Sequence, residues 1–210
     1  MPLPSVEELK GAIHSTNADT VLAVGGGSAI GVCKAAALRS EHPVLVVAVP
    51  TTYSGSEMTN IYGITAEGTK TTGRSEKVRP GVVIYDPTLL AKLPASIAVP
   101  SLFNGLAHCV EALWDATCDP LVAMAAEEGV RAITQSVQQL AKADDATAAA
   151  DHEAAVDQAL YGAFLAGKSL GASMGVHHKV CCCRSRRRRR RRRRCCSTSR
   201  MKCCCRLQTP

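Results

Sequence analysis

Four groups of residues in this 210-residue chain have the types and spacing to do chemistry. The first is Gly25-Gly26-Gly27-Ser28, which cuts off an apolar run, Val21 to Val24, and precedes an alanine-rich segment, Ile30 to Leu38. Three residues without Cβ atoms let backbone N–H groups come close to a ligand, and a helix starting at Ser28 adds its positive N-terminal end. That pairing suits a phosphate or pyrophosphate. A tight strand-to-helix turn with no ligand has the same sequence form, and the string is neither G-x-G-x-x-G nor a Walker loop. The second group is the hydroxyl-rich Pro50-Thr51-Thr52-Tyr53-Ser54-Gly55-Ser56-Glu57. Its hydroxyls can meet a ligand or cap their own backbone. The third is Asn104 with His108, spaced i, i+4 and so on one helix face. The fourth is His177-His178-Lys179, after a glycine-punctuated helix end. The two histidine groups could converge on a metal or a substrate carboxylate, or each histidine could serve a core or a cap.

The elements that must position these groups follow from periodicity. Val6, Leu9 and Ile13 mark a helix over 5–15, with Ser5 and Glu8 placed as a capping box. Thr20 to Val24 reads as a buried parallel strand feeding the alanine-rich helix, and Val44 to Val49 as a second one. Strand, helix and strand in close succession make a right-handed βαβ unit. Ligands bind outside the carboxyl ends of such strands, so the glycine turn and the Thr-Ser loop should emerge at one edge. Residues 58–66 read as a strand, followed by a polar loop from Lys70 to Pro80. Val82 to Tyr85 reads as another short strand and Thr88 to Leu93 as a small helix. Beyond Ser96 the strand signals stop. Ser101–Trp114, Pro120–Lys142 and Asp151–Gly171 are helical patterns, with Val122, Ala126, Val130, Ile133, Val137 and Leu140 on one face of the second. The expected architecture is a partial α/β dinucleotide-binding domain over 1–95, a partial all-α domain over 96–181, and an Arg/Cys-rich disordered tail over 182–210.

Charge and cysteine divide in the same place. The chain carries +7, but 13 of its 25 basic residues lie in 181–210, leaving 12 basic and 18 acidic residues in the body. Eight of the 11 cysteines also lie there. Cys33, Cys109 and Cys118 remain in apolar surroundings, a reduced pattern with no disulfide framework. No apolar run reaches the length of a membrane span. The N-terminus lacks the basic and apolar regions of a signal peptide. A soluble, cytoplasmic protein is expected.

Six blocks now fall into a recognisable order: Gly25-Gly-Gly-Ser28, Pro50-Thr-Thr-Tyr-Ser-Gly-Ser-Glu-Met58, Thr72-Gly-Arg74, Val83-Ile-Tyr-Asp-Pro87, Asn104-x-x-Ala-His108-x-Val-Glu-Ala112 and Gly175-Val-His-His-Lys179. The series closely resembles the maleylacetate reductases, a branch of the iron-containing alcohol dehydrogenase family, from about Val6 to Cys181. The resemblance implies a dehydroquinate synthase-like architecture, an α/β domain that binds NADH or NADPH and a helical domain that completes the active site. It implies reduction of maleylacetate, a small dicarboxylate, to 3-oxoadipate in aromatic-compound catabolism, with a homodimer as a candidate assembly. By motif, Gly25, Gly26, Gly27 and Ser28 hold the pyrophosphate. Thr51, Thr52, Ser54, Gly55 and Ser56 contact the cofactor, and Lys70 lies near it. Asn104, His108 and His178 fall on three metal-ligand positions. His108, His177, His178 and Lys179 would supply positive charge or hydrogen bonds to the substrate and its developing enolate. The alcohol dehydrogenases have Asp where this chain has Asn104, and a neutral carboxamide is a poor ligand for a divalent cation. That favours polarisation by histidine, with iron or zinc as the alternative.

The chain also departs from the pattern. A stretch carrying the first strands of the nucleotide domain is expected ahead of Met1. Cys182 stands where a further histidine is expected, and nine arginines follow at Arg186 to Arg194. The tail reads as an out-of-frame or unspliced segment. Alternatively it is a nonspecific polyanion binder acting by counterion release, or a soft-metal site on the cysteine clusters. If the flanking elements are missing, apolar faces should stand exposed on both domains, with marginal stability and impaired turnover.

Overall fold

The computed structural model describes residues 1–142 and 149–173, all of them within one unit, Met1–Val176. The apolar run before the glycines forms strand β1 (Thr20–Gly25), and the second run forms β2 (Leu45–Pro50). The two lie parallel, in register from Thr20 beside Leu45 to Gly25 beside Pro50. Between them runs helix α2 (Gly27–Arg39). β5 (Val82–Val83) joins the free side of β2, giving the order β1-β2-β5, all parallel. The expected βαβ unit is therefore present, and its two loops leave the sheet at the same edge.

Alternation along these strands separates two faces. On one, Ala23, Val46 and Ala48 are buried under Ile30, Cys33 and Ala37 of α2. Helix α1 (Leu3–Thr16) packs on α2 in turn, through Val6, Ile13, Ala35 and Ala36. The other face carries Leu22, Val24, Leu45, Val82 and Ile84, each between 44% and 61% exposed. The strands were expected to be buried on both sides; among the described residues they are covered on one.

Three local features differ from expectation. The capping box at Ser5 and Glu8 is not made, because α1 begins at Leu3 with Pro4 in its first turn and no side-chain cap. The chain entry is set instead by Met1, whose amino group donates to the Gly63 carbonyl at 2.9 Å and whose carbonyl accepts from Thr65 N at 2.6 Å. The polar stretch after Lys70 is not all loop. β3 (Ile61–Ala66) and β4 (Thr69–Arg74) form an antiparallel hairpin, closed by Glu67 and Gly68, both at positive φ (49° and 76°). Two left-handed residues make the tight turn whose twist suits a hairpin. The small helix expected over Thr88–Leu93 is a single 3-10 turn, Pro87–Leu89, capped by the Asp86 carboxylate, which accepts from Thr88 N at 2.9 Å.

Helices then take over. α3 (Ala95–Trp114) starts earlier than the expected Ser101 and runs through Pro100, which forfeits one backbone bond without ending the helix. α4 (Pro120–Lys142) and α5 (Ala149–Ala172) complete a three-helix layer. The expected apolar face of α4 is the buried one: Ala126, Ile133 and Leu140 lie in the core, with Val122, Val130 and Val137 packed against it. Alanine dominates the facing positions Ala112, Ala155, Ala159, Ala163 and Ala166, so the helices approach closely. Cys33 and Cys109 are buried free thiols and Cys118 is a free, half-buried one. Burial pushes the Cys109 thiol up to about 12, far from a reactive thiolate.

Candidate functional site

The glycine turn joins β1 to α2 and is braced by the start of the Thr-Ser loop, where Thr51 N donates to the Gly25 carbonyl at 3.0 Å. Gly25 has φ +146°, a conformation that side chains disfavour. Gly26 is the N-cap of α2 and offers no side chain to its first-turn amides. Those amides are left for whatever lies in front of the helix. Close approach explains the other glycines. A Cβ on Gly26 would stand 3.0 Å from Thr52 Cγ2, and one on Gly27 only 2.9 Å from Ser54 Oγ. The loop thus lies directly on the turn. Gly25, Gly26, Gly27, Thr51, Thr52, Ser54 and Ser56 are brought together, and Ser28 is exposed on the first turn of α2. A Cβ-free cradle, a helix start with no side-chain cap and several hydroxyls fit a pyrophosphate.

The far side of the loop is held by the helical layer. Gly55 has φ +69° and its Cα faces Gly167 of α5, where a Cβ built on Gly55 would be 3.0 Å away. Tyr53 is buried in the core of α3, α4 and α5. The Tyr85 hydroxyl donates to Glu57 Oε1 at 3.0 Å, and the Tyr85 ring meets Phe164 of α5 edge-on with centroids 6.1 Å apart. Glu57 is 1% exposed, and desolvation, partly offset by hydrogen bonds and by Lys34, raises its carboxyl above the usual range. Its Oε2 has no hydrogen-bond partner among the described residues.

Lys34 was not singled out by sequence, yet it is wholly buried on α2. Its Nζ donates to the Ser56 carbonyl at 2.8 Å, the Thr59 carbonyl at 2.7 Å and Thr59 Oγ1 at 3.0 Å. The signal was available: Lys34 follows Ile30 by four residues and so shares the apolar face of the helix. Lys70, by contrast, stands exposed on β4, its stem over Gly63 and its charge near the Met1 amino group.

On α3, Asn104 and His108 do share a face, and the Asn104 amide nitrogen sits 3.2 Å from His108 Nε2. With the carboxamide in this orientation its nitrogen donates and Nε2 accepts, which assigns the ring proton to Nδ1. His108 is buried and Asn104 half-buried. Among the described residues no group of three His, Cys, Asp or Glu could hold a metal. His177, His178 and Lys179 lie outside the described residues, as does the arginine tail. No described helix is long and apolar enough to cross a membrane.

Comparison with known proteins agrees with this arrangement. The family model for iron-containing alcohol dehydrogenase matches residues 1–87, and that for the C-terminal region of the Fe-containing alcohol dehydrogenase family matches residues 98–183. The chain is 45% identical over 182 residues to a maleylacetate reductase of Sphingobium indicum, covering 86% of this chain and 49% of that protein. It is 44% identical to one from Pseudomonas knackmussii, with the same coverage. The crystal structure of maleylacetate reductase from Agrobacterium tumefaciens superposes with a TM-score of 0.77 at 40% identity, over 86% of this chain and 50% of that one. A sulfoacetaldehyde reductase from Bifidobacterium kashiwanohense, solved in complex with NAD+, superposes with a TM-score of 0.72 at 25% identity, over 82% of this chain and 50% of that one. The chain spans about half the length of the curated relatives it matches. Two consecutive models of one family, in order along most of the sequence, show that the chain belongs to the iron-containing alcohol dehydrogenase family.

Proposed function

We propose that this chain carries the nucleotide site of an NAD(P)H-dependent reductase of the maleylacetate type. The observation that carries the reading is the seating of the Thr52–Ser56 loop on Gly26 and Gly27 in front of the uncapped end of α2. In this reading the Gly25–Ser28 amides and the Thr51, Thr52, Ser54 and Ser56 hydroxyls bind the pyrophosphate, and Lys70 serves the cofactor from the hairpin. The bound reduced nicotinamide would supply a hydride to a carbon–carbon double bond conjugated with a carbonyl. The residues of the chain would then bind the two carboxylates and stabilise the enolate that forms. Asn104 and His108, paired on one face of α3, would supply hydrogen bonds to the substrate and its enolate. His177, His178 and Lys179 supply positive charge. Domains 1–95 and 96–181 divide these tasks, cofactor on the first and substrate on the second.

The test is a fluorescence titration of the full chain with NADH and with NADPH, followed by maleylacetate-dependent oxidation of whichever binds. Saturable binding of one cofactor supports the reading, and Gly27→Val, which drives a side chain into Ser54, should abolish it. No binding of either cofactor up to about 1 mM, weaker than roughly −4 kcal/mol, refutes it.

A further inference from the structure

A buried lysine beside the nucleotide loop has no part in the cofactor contacts just described. Lys34 leaves α2 about two turns beyond Gly27 and its ammonium meets three acceptors, two carbonyls and one hydroxyl, at 2.7 to 3.0 Å. An ammonium carries three N–H donors, one for each of these partners. Interior cations are expensive, and an apolar side chain of the same length would fill the space without that expense. What the ammonium adds is geometry. Two of its acceptors are backbone carbonyls of Ser56 and Thr59, and the Thr59 hydroxyl that it also meets lies 3.2 Å from the Ser56 carbonyl. The segment 56–59 is thereby gathered onto the same helix whose first turn is the anion cradle.

We propose that Lys34 is the positioning residue of the nucleotide site: its three hydrogen bonds hold the Thr-Ser loop against the glycine turn. The inference rests on the nucleotide reading above. The opposite side of the loop is set by α5, where Gly167 and Gly171 receive Gly55 and the Met58 carbonyl. Those contacts fix the loop relative to the helical layer, whereas Lys34 fixes it relative to α2. Clearance at the turn is small enough for the distinction to matter, since Thr52 and Ser54 lie where side chains on Gly26 and Gly27 would be. A shift of an ångström in the loop would move its hydroxyls out of reach of an anion on the α2 amides. Glu57 stands near Lys34, whose charge partly offsets the desolvation that raises its carboxyl.

The experiment compares NADH binding by the full chain, by Lys34→Met and by Leu160→Ala. The last is a truncation on α5 in the helical core that lowers stability. Lys34→Met is expected to weaken NADH binding at least tenfold, while Leu160→Ala stays within about twofold of the native chain at an equal or larger fall in melting temperature. In Lys34→Ala, added methylammonium should restore binding and tetramethylammonium should not, an effect that a merely structural role would not produce. Binding by Lys34→Met within twofold of the native chain, or lost only in step with Leu160→Ala, overturns the inference and leaves the nucleotide reading standing. Failure of the native chain to bind NADH and NADPH removes the nucleotide reading and the inference together.

Discussion

Placing a methyl group on Gly167 tests the joint between loop and helix. Gly167 is buried on α5, and a Cβ there would lie 2.6 Å from the Gly55 carbonyl oxygen, 2.9 Å from Met58 Cβ and 3.0 Å from Gly55 Cα. Two of those three atoms are backbone, so no rotamer change relieves the clash. Overpacking of this kind costs about 1–3 kcal/mol. Alanine returns about 0.5–1 kcal/mol by stiffening the helix. The net expectation for Gly167→Ala is a loss of up to about 2.5 kcal/mol, a fall in melting temperature of up to roughly 10 °C for a chain of this size. Gly11 supplies the control. It lies exposed in the middle of α1 with nothing within 4 Å of its would-be Cβ. Gly11→Ala should therefore stabilise by about 0.5–1 kcal/mol through propensity alone. One substitution in two helices should shift the urea midpoint in opposite directions. NADH affinity should fall in the Gly167 variant only. Equal stabilisation by both substitutions would refute the close approach on which the loop's position depends.

Other expectations follow from single side chains. Glu57 has a raised carboxyl pKa in the fold, above its ordinary value of 4.5, chiefly from desolvation. The folded chain therefore keeps this proton to higher pH than the unfolded chain, and the group's support for folding is lost as pH rises from 4.5 through the folded value. Glu57→Gln keeps an acceptor for Tyr85 and cannot ionise, so its stability advantage over the native chain should widen with pH; parallel curves would contradict this. Asn104→Asp turns the donor facing His108 into an acceptor. Long-range nitrogen–proton NMR should show the ring proton on Nδ1 in the native chain and on Nε2 in the variant, and the same pattern in both would refute the assigned tautomer. Leu22→Lys with Val24→Lys charges the uncovered sheet face. Dye binding and self-association should drop with little change in melting temperature, and unchanged dye binding would mean that this face is covered in solution.

The βαβ core was legible because its signals are redundant. Two continuous apolar runs, a glycine interruption and an alanine-rich segment all require strand, turn and helix in the same order, and the register of β1 on β2 honours each of them. The buried stripe of α4 was legible for the same reason, since six apolar positions share one period. The β3–β4 hairpin was missed because Thr-Lys-Thr-Thr-Gly-Arg is polar on both faces. A search for alternating burial finds nothing there, and only the Glu67-Gly68 turn carried the signal. The helix start at Leu3 was misplaced because a capping box is a local argument. The real constraint is remote, Met1 tied to Gly63 and Thr65.

The same distinction applies to the candidate site. Residues whose role depends on absence, the glycines that let backbone and loop approach, announce themselves by composition. Lys34 does not, because its type suggests solvent and only its place on the apolar side of α2 argues otherwise. Recognising it requires knowing that Ser56 and Thr59 turn their carbonyls toward that helix, a tertiary fact. The loop is therefore defined from two sides by unlike means. On α5, glycine permits contact by removing atoms; on α2, lysine enforces contact by adding donors. A permissive contact fails when bulk is added, and an enforced one fails when donors are removed. Gly167→Ala and Lys34→Met probe the two sides separately. If both sides act on one loop position, combining the substitutions should cost less NADH affinity than the sum of the single losses, because the first shift already releases what the second would disturb. Fully additive losses would mean that the two contacts hold different parts of the loop.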